Sequence, residues 1–171
     1  SGGHGVNPLD SLKTYLKQAL DRTSSSWGYG GYLENRSIYA ASEVFKSDDG
    51  VARNIHLGVD FWLPAKTEVL TPLPGVIHSF KDNHHFGDYG PTIILEHQAQ
   101  HEDTPPFYTL FGHLSTDSLK NKEAGQYFEA GSVLASLGEP HENVGWPPHL
   151  HFQVILDMGD HLGDYPGVCL E

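Results

Sequence analysis

The sequence predicts a mainly β fold, with antiparallel sheets in a single domain and one short helix near the N-terminus. A chain of 171 residues is long enough for one hydrophobic core and short for two. Its 19 Gly and 11 Pro indicate many turns. Seven β-prone segments lie between those turns, at residues 37–45, 55–63, 75–80, 92–97, 107–113, 132–137 and 149–156.

The helix is predicted from capping and from the spacing of leucines. Asn7 suits the N-cap position and Pro8 the first helical position. Leucines then recur at helical spacing, at Leu9, Leu12, Leu16 and Leu20. The next stretch, TSSSWGYGG at residues 23–31, breaks this pattern and is predicted to be a loop. We therefore expect residues 1–35 to form a helix and loop extension, and residues 36–171 to form the β domain.

The charge balance excludes some classes of partner. A formal net charge of −12 argues against nucleic acid and anionic membranes, which are bound through clustered Lys and Arg. No apolar run approaches the roughly 20 residues that span a bilayer. The single cysteine, Cys169, cannot form an internal disulfide, and the chain starts without a secretory signal pattern. These features favour the cytoplasm and leave the periplasm and the exterior open.

Two histidines near the C-terminus are predicted to face one side of a strand. His149 and His151 alternate with the apolar Leu150, Phe152, Val154 and Leu156. On a strand the two histidines then lie about 6.6 Å apart on one face, while the apolar set packs into the core. That spacing allows one imidazole to bind a metal and the other to reach a metal-bound water.

A second pattern, HLGVD, places a histidine and a carboxylate four residues apart. In a fully extended strand the Cα atoms of His56 and Asp60 would lie about 13 Å apart, too far for easy ligation of one ion. Gly58 permits a bend or bulge that brings the side chains together. A helix would also place them on one face, but β-branched and aromatic neighbours and Pro64 oppose it. We expect a bent strand.

Each of these patterns, taken alone, is more often found at structural residues. Their combination is what predicts a metal site. Two histidines and one carboxylate leave a coordination position open for water, which is typical of catalytic rather than structural zinc sites. Other chemistries lack their motifs, since the sequence has no Gly-x-Ser-x-Gly elbow and no base evident near Cys169. The segment Trp146-Pro147-Pro148 is either a stiff turn or a wall of the site.

The motifs HLGVD, YTLFGHLS and PPHLHFQ, in this order, resemble those of the lysostaphin-type (LytM-like) zinc endopeptidases. The resemblance covers roughly residues 55–156. It implies a mainly antiparallel β fold with the metal site in a groove and one Zn²⁺ per chain. By this resemblance His56, Asp60 and His151 would be the zinc ligands, and His113 and His149 would be catalytic. Which histidine is the general base stays open.

Two segments, DYGPTIILEH and GWPPHLHFQ, resemble one subgroup of this family in particular. In that subgroup the domain is fused to a class III, pyridoxal-phosphate-dependent aminotransferase and a kinase-like phosphotransferase. The resemblance implies that this chain is a domain excised from a longer protein, with those domains as covalent partners. Gln153 departs from the wall-cleaving members, which often have Glu there.

Three functions compete at this level. The first is a zinc-dependent hydrolase that cleaves a peptide or amide bond in a small substrate by metal-activated water. The second is an accessory, non-peptidase zinc-binding domain of an aminotransferase fusion protein. The third is a metal-free binding module, and the presence of all five polar side chains counts against it.

Overall fold

The computed structural model describes residues 8–36, 53–85, 87–99 and 104–170. In chain order the helix and strands are α1 (Pro8–Thr23), β1 (Gly28–Gly30), β2 (Ile55–His56), β3 (Val59–Trp62), β4 (Glu68–Leu70), β5 (Gly75–Asn83), β6 (Gly90–His97), β7 (Phe107–Gly112), β8 (Tyr127–Phe128), β9 (Val133–Ser136), β10 (His149–Ile155) and β11 (Val168–Cys169). A short 3-10 helix, Thr116–Leu119, follows β7.

Seven of the strands form one antiparallel sheet in the order β1-β3-β10-β7-β6-β5-β8. Two smaller antiparallel ladders, β11-β2 and β4-β9, flank it. The predicted fold of antiparallel sheets with a short N-terminal helix is confirmed. The predicted strand at residues 37–45 lies outside the described residues, and the division of the chain at residue 35 stays a prediction.

The central strands are buried on both faces. Ile93 and Phe111 are partners across β6 and β7 and belong to the larger hydrophobic cluster. Ile94 and Leu110, the next pair along the same ladder, belong to a second cluster on the other face. Truncating a buried phenylalanine such as Phe111 to Ala typically costs about 3–5 kcal/mol. Strand β10 pairs with β7, and β3 pairs with β10, so both are joined through the sheet to these buried strands.

The helix is confirmed, with its predicted cap Asn7 outside the described residues. Leu9 packs against Trp146 and Val168, so α1 is anchored to the β structure. The predicted loop at residues 23–31 is wrong in part, because Gly28–Gly30 form β1 and pair with β3. Glycine has little β propensity, and the strand exists because the edge of β3 offers it hydrogen bonds. No helix in the described part of the chain is long and apolar enough to cross a membrane.

Strand β10 shows the predicted alternation with one correction. His149, His151 and Gln153 share one face and are buried, and Leu150 and Phe152 pack against the larger hydrophobic cluster on the opposite face. Val154 is 55% exposed and Leu156 is 80% exposed, so the apolar set is not wholly in the core. The histidine face is the better covered one, and Pro166 O contacts Gln153 on it.

Candidate functional site

Two of the three predicted metal-binding residues lie on adjacent strands, and the third, His56, lies on the strand that precedes them in the chain. His56 ends β2, and Asp60 lies in β3, after a break at Leu57 and Gly58. Asp60 and His151 are directly opposite one another in the antiparallel ladder of β3 and β10. Directly opposite residues present their side chains on the same face of a sheet. The predicted bend between His56 and Asp60 is confirmed, and it returns His56 to this face.

The ligand atoms of these residues converge on one point. His56 Nε2 is 3.0 Å from His151 Nδ1, and His151 Nδ1 is 3.1 Å from Asp60 Oδ1. The third edge, from His56 Nε2 to Asp60 Oδ1, is 3.3 Å. A tetrahedral ion with bonds of about 2.0–2.1 Å has ligand–ligand edges of about 3.3 Å. These three buried residues could therefore hold one metal ion.

The hydrogen bonds behind the two imidazoles fix their tautomers. His56 Nδ1 lies 3.2 Å from Gly31 O, an acceptor, so Nδ1 carries the proton and Nε2 a lone pair. Gln153 Nε2 donates to Pro166 O at 3.1 Å, so its Oε1 accepts from His151 Nε2, also at 3.1 Å. His151 Nδ1 then carries a lone pair. Two lone pairs and a carboxylate oxygen repel each other unless a cation joins them, and this donor set suits a metal ion.

Asp60 is held ionised in spite of its burial. Burial alone would raise the pKa of Asp60, but the imidazoles of His151 and His56, which lie 3.1 and 3.3 Å from its Oδ1, hold this pKa well below its usual value. Arg36 Nη1 donates to the outer oxygen, Asp60 Oδ2, and Arg36 Nε donates to Glu34 Oε2 at 2.8 Å. Asp60 thus offers only Oδ1 to the point where the histidines converge.

Gly58 provides the room that His151 needs. A Cβ at position 58 would lie 2.6 Å from His151 Nε2 and 2.9 Å from the backbone oxygen of Phe152. The backbone of Gly58 does not have a left-handed φ, so glycine is required here for space rather than for conformation. The imidazole of His151 lies where any larger residue would place its side chain.

His149 packs between the rings of Trp62 and His113. Its imidazole stacks on Trp62, with 4.1 Å between centroids, and Trp62 is its direct partner across β3 and β10. His149 Nδ1 lies 2.7 Å from Pro147 O, so Nδ1 carries a proton and Nε2 is the basic nitrogen. Burial lowers the pKa of His149 to about 4. The ring is therefore neutral near pH 7.

His113 completes the group from the end of β7. Its ring lies 3.9 Å from that of His149, between centroids. Its backbone has a φ of 61°, held by hydrogen bonds from His113 N to Tyr89 O and from Gly138 N to His113 O. Burial holds the pKa of His113 well below its usual value, and its Nδ1 has no hydrogen-bond partner among the described residues. A strained backbone and an unsatisfied buried nitrogen are both typical of functional positions.

All five predicted side chains line one cavity of about 200 Å³. A liquid water takes about 30 Å³, so the cavity has room for a small acyl or amide group together with water. Trp146 lines it too and Pro147 O holds His149, so the segment Trp146-Pro147-Pro148 forms part of the wall, and the turn lies just before it at residues 140–145.

The sequence alone did not point to several residues at the site. No local sequence pattern indicated a role for Arg36, because its contact with Asp60 joins residues 24 positions apart. Tyr89, whose ring lies 4.9 Å from that of His151, was part of a motif but had no role assigned. Gln153 was singled out as a departure from the wall-cleaving members but had no role assigned, although it follows His151 at the strand period of two and must share its face.

Comparisons with known proteins bear on the fold and the family. The catalytic domain of the antimicrobial peptidase lysostaphin from Staphylococcus simulans matches with a TM-score of 0.52 and 21% identity, over 83% of this chain and 87% of that one. A solution structure of lysostaphin matches with a TM-score of 0.50 and 22% identity, over 78% of this chain and 46% of that one. At this identity the likeness shows the fold alone. No curated protein matches the sequence.

The family assignment comes from the sequence of the β domain. The model of "Peptidase family M23" matches residues 54–162, which include His56, Asp60, His113, His149 and His151. This family consists of peptidase-type hydrolases and is typically metal-dependent. Because the match covers more than half of the chain, the protein belongs to peptidase family M23.

Proposed function

We propose that this protein is a zinc-dependent metallopeptidase that hydrolyses a peptide or amide bond with metal-activated water. His56 Nε2, Asp60 Oδ1 and His151 Nδ1 would hold the ion. The observation that carries the proposal is the convergence of these three atoms, 3.0–3.3 Å apart, beside two buried neutral imidazoles. Two histidines and one carboxylate suit zinc and leave a position for water.

Zinc, when bound, supplies a Lewis acid that polarises the scissile carbonyl and lowers the pKa of water towards 7. The protein supplies the proton transfers. His149 is neutral, and its Nδ1–H donates a hydrogen bond to Pro147 O. Its Nε2 can therefore accept a proton from water. His113 has no protein partner at Nδ1 among the described residues, so its tautomer is free to adapt. We assign it the role of donor to the oxyanion or the leaving amine.

The two roles divide the site into a part that binds metal and a part that moves protons. Replacing His113 or His149 with Ala should leave about one zinc per chain and abolish cleavage. Replacing Asp60 or His151 with Ala should remove the metal itself. Metal content by mass spectrometry and cleavage of a panel of Gly-rich and D-amino-acid peptides measure the two effects separately.

The matched control is the same substitution, His to Ala, at a histidine outside the cavity. His84 is 63% exposed and lies outside the cavity, so His84→Ala should leave both zinc content and cleavage unchanged. Wild-type protein without stoichiometric zinc would refute the proposal. So would loss of metal in the His149→Ala protein, because that result would make His149 a ligand.

An accessory zinc-binding role in an aminotransferase fusion protein is the second candidate. Its support is the likeness of DYGPTIILEH and GWPPHLHFQ to that subgroup. It predicts a wild-type protein that holds zinc at the same three residues and cleaves no peptide in the panel. Peptide cleavage that disappears with His149→Ala would exclude it.

A further inference from the structure

Residues 163–169, shortly before the last described residue at 170, include the part of the chain that packs against the proposed metal centre. We call these residues the C-terminal segment. It lies beyond the residues matched by the family model, which end at 162. Five of its residues line the cavity: Asp164, Tyr165, Pro166, Gly167 and Val168. The wall of the proposed active site on this side therefore comes from a segment that the family assignment does not cover.

Backbone contacts attach the segment to the element that carries His56. Leu57 N donates to Gly167 O at 2.9 Å. Val168 is the register partner of His56 in the ladder of β2 and β11. The segment therefore helps to fix the backbone on either side of the first proposed ligand.

Side-chain contacts attach the same segment to His151. Tyr89 donates its hydroxyl to Tyr165 O at 3.1 Å, and its ring lies 4.9 Å from the His151 ring. Gln153 donates Nε2–H to Pro166 O at 3.1 Å and accepts at Oε1 from His151 Nε2, also at 3.1 Å. Both links run from the segment to the second imidazole of the proposed metal site.

The contact with Pro166 determines the orientation of the Gln153 amide. A carbonyl oxygen only accepts hydrogen bonds, so the amide nitrogen of Gln153 must face Pro166 and Oε1 must face His151. His151 is then protonated at Nε2 and unprotonated at Nδ1, the atom that faces His56 and Asp60. A glutamate at this position could accept from His151 but would turn an oxygen towards Pro166 O.

We propose that Gln153 is a positioning residue that couples the C-terminal segment to the metal centre. Docking of the segment orients the amide, and the amide holds His151 in the tautomer that ligates through Nδ1. Binding of the metal in turn keeps His151, Gln153 and the segment together. The inference rests on the proposed metal site, and it adds a segment outside the matched family region to that site.

The test compares two variants of Gln153 by two measurements in the full chain. Zinc affinity is measured by competition with a chromophoric chelator. Docking of the segment is measured by hydrogen exchange of the Leu57 amide, which is bonded to Gly167 O. Gln153→Met should weaken zinc binding by about 10–100-fold and speed the exchange of Leu57. In the wild type, zinc should slow this exchange.

Gln153→Glu separates positioning of His151 from docking of the segment. Its carboxylate accepts from His151, so zinc affinity should exceed that of Gln153→Met by about tenfold. It has no proton for Pro166 O, so the Leu57 amide should still exchange faster than in the wild type. A purely structural role would move both measurements together. Val154→Thr, on the 55% exposed opposite face of β10, is the control and should change neither.

A second variant disturbs the segment from its other side. A Cβ at Gly167 would overlap the Tyr89 hydroxyl and lie 2.8 Å from Tyr89 Cζ, so Gly167→Ala should displace the segment without altering Gln153. Zinc affinity should fall by about tenfold although no ligand is changed. Unchanged zinc affinity in Gln153→Met or in Gly167→Ala would overturn the inference. Wild-type protein that binds no zinc would overturn the proposed function, and this inference with it.

Discussion

Substitution of Gly58 by Ala is the most direct test of how the site is built. The added Cβ would lie 2.6 Å from His151 Nε2 and 2.9 Å from Phe152 O. Non-bonded contacts become favourable only near 3.5 Å, so the overlap with these two atoms is about 0.6–0.9 Å, and the overlap with His151 Cε1 is larger. One of the two neighbours is a backbone atom in β10 and cannot rotate away. The imidazole of His151 must therefore leave its position, or β3 must move away from β10.

Either response takes one of the three proposed ligands out of position, although the substitution adds only one methyl group. We expect zinc affinity to fall by at least about 100-fold, the upper end of effects seen when a ligand merely loses its support. Overpacking should also cost about 1–3 kcal/mol of unfolding free energy in metal-free protein. Zinc at 100 times its Kd should stabilise the wild type by about 2.7 kcal/mol and should stabilise Gly58→Ala very little. Chelator competition and urea unfolding with and without zinc measure these quantities.

Gly31→Ala provides a matched control close to the same site. Its Cβ would have no neighbour nearer than 3.9 Å, and its φ lies outside the left-handed region. Its carbonyl, which accepts from His56 Nδ1, would be unchanged, so zinc affinity should match the wild type. A Gly58→Ala protein that binds zinc as tightly as the wild type would refute the reasoning, because His151 would then not need the space beside Gly58.

Three further predictions concern charge, pH and backbone strain. Arg36→Met removes the cation at Asp60 Oδ2, so the metal-free protein should lose about 3 kcal/mol of unfolding free energy in urea titrations, and zinc should restore part of it. The exposed partner provides the control, because Glu34→Gln should cost less than about 0.5 kcal/mol. Burial lowers the pKa of His149 from 6.5 to about 4, so the unfolded chain binds more protons between these values. The unfolding free energy of metal-free protein should therefore fall as the pH drops from about 6.5 to about 4, and His149→Asn should flatten this slope. His113 has a φ of 61°, so His113→Gly should be about 1 kcal/mol more stable than His113→Ala, and equal unfolding free energies would contradict the left-handed backbone.

The sequence by itself determined the class of fold and indicated five side chains that line one cavity of the structure. Turn residues divided the chain into short segments, and most of the predicted strands match described strands because period-two burial is a local property. The alternation of His149 and His151 with apolar residues required both imidazoles to share a face, as they do. Gly58 marked the interruption between His56 and Asp60 for the same local reason.

Only the tertiary structure decided how those residues are held. Strand β1 was predicted to be part of a loop because TSSSWGYGG breaks the helical pattern, and the edge of β3 outweighs the weak strand preference of its two glycines. Arg36 pairs with the Asp60 side chain 24 positions away, and Gln153 donates to the backbone oxygen of Pro166. Gly31 O leaves Nε2 of His56 facing the site, and Pro166 O, acting through the Gln153 amide, leaves Nδ1 of His151 facing it. Local periodicity places a side chain on a face, whereas its hydrogen-bond partner is chosen by which distant element packs there.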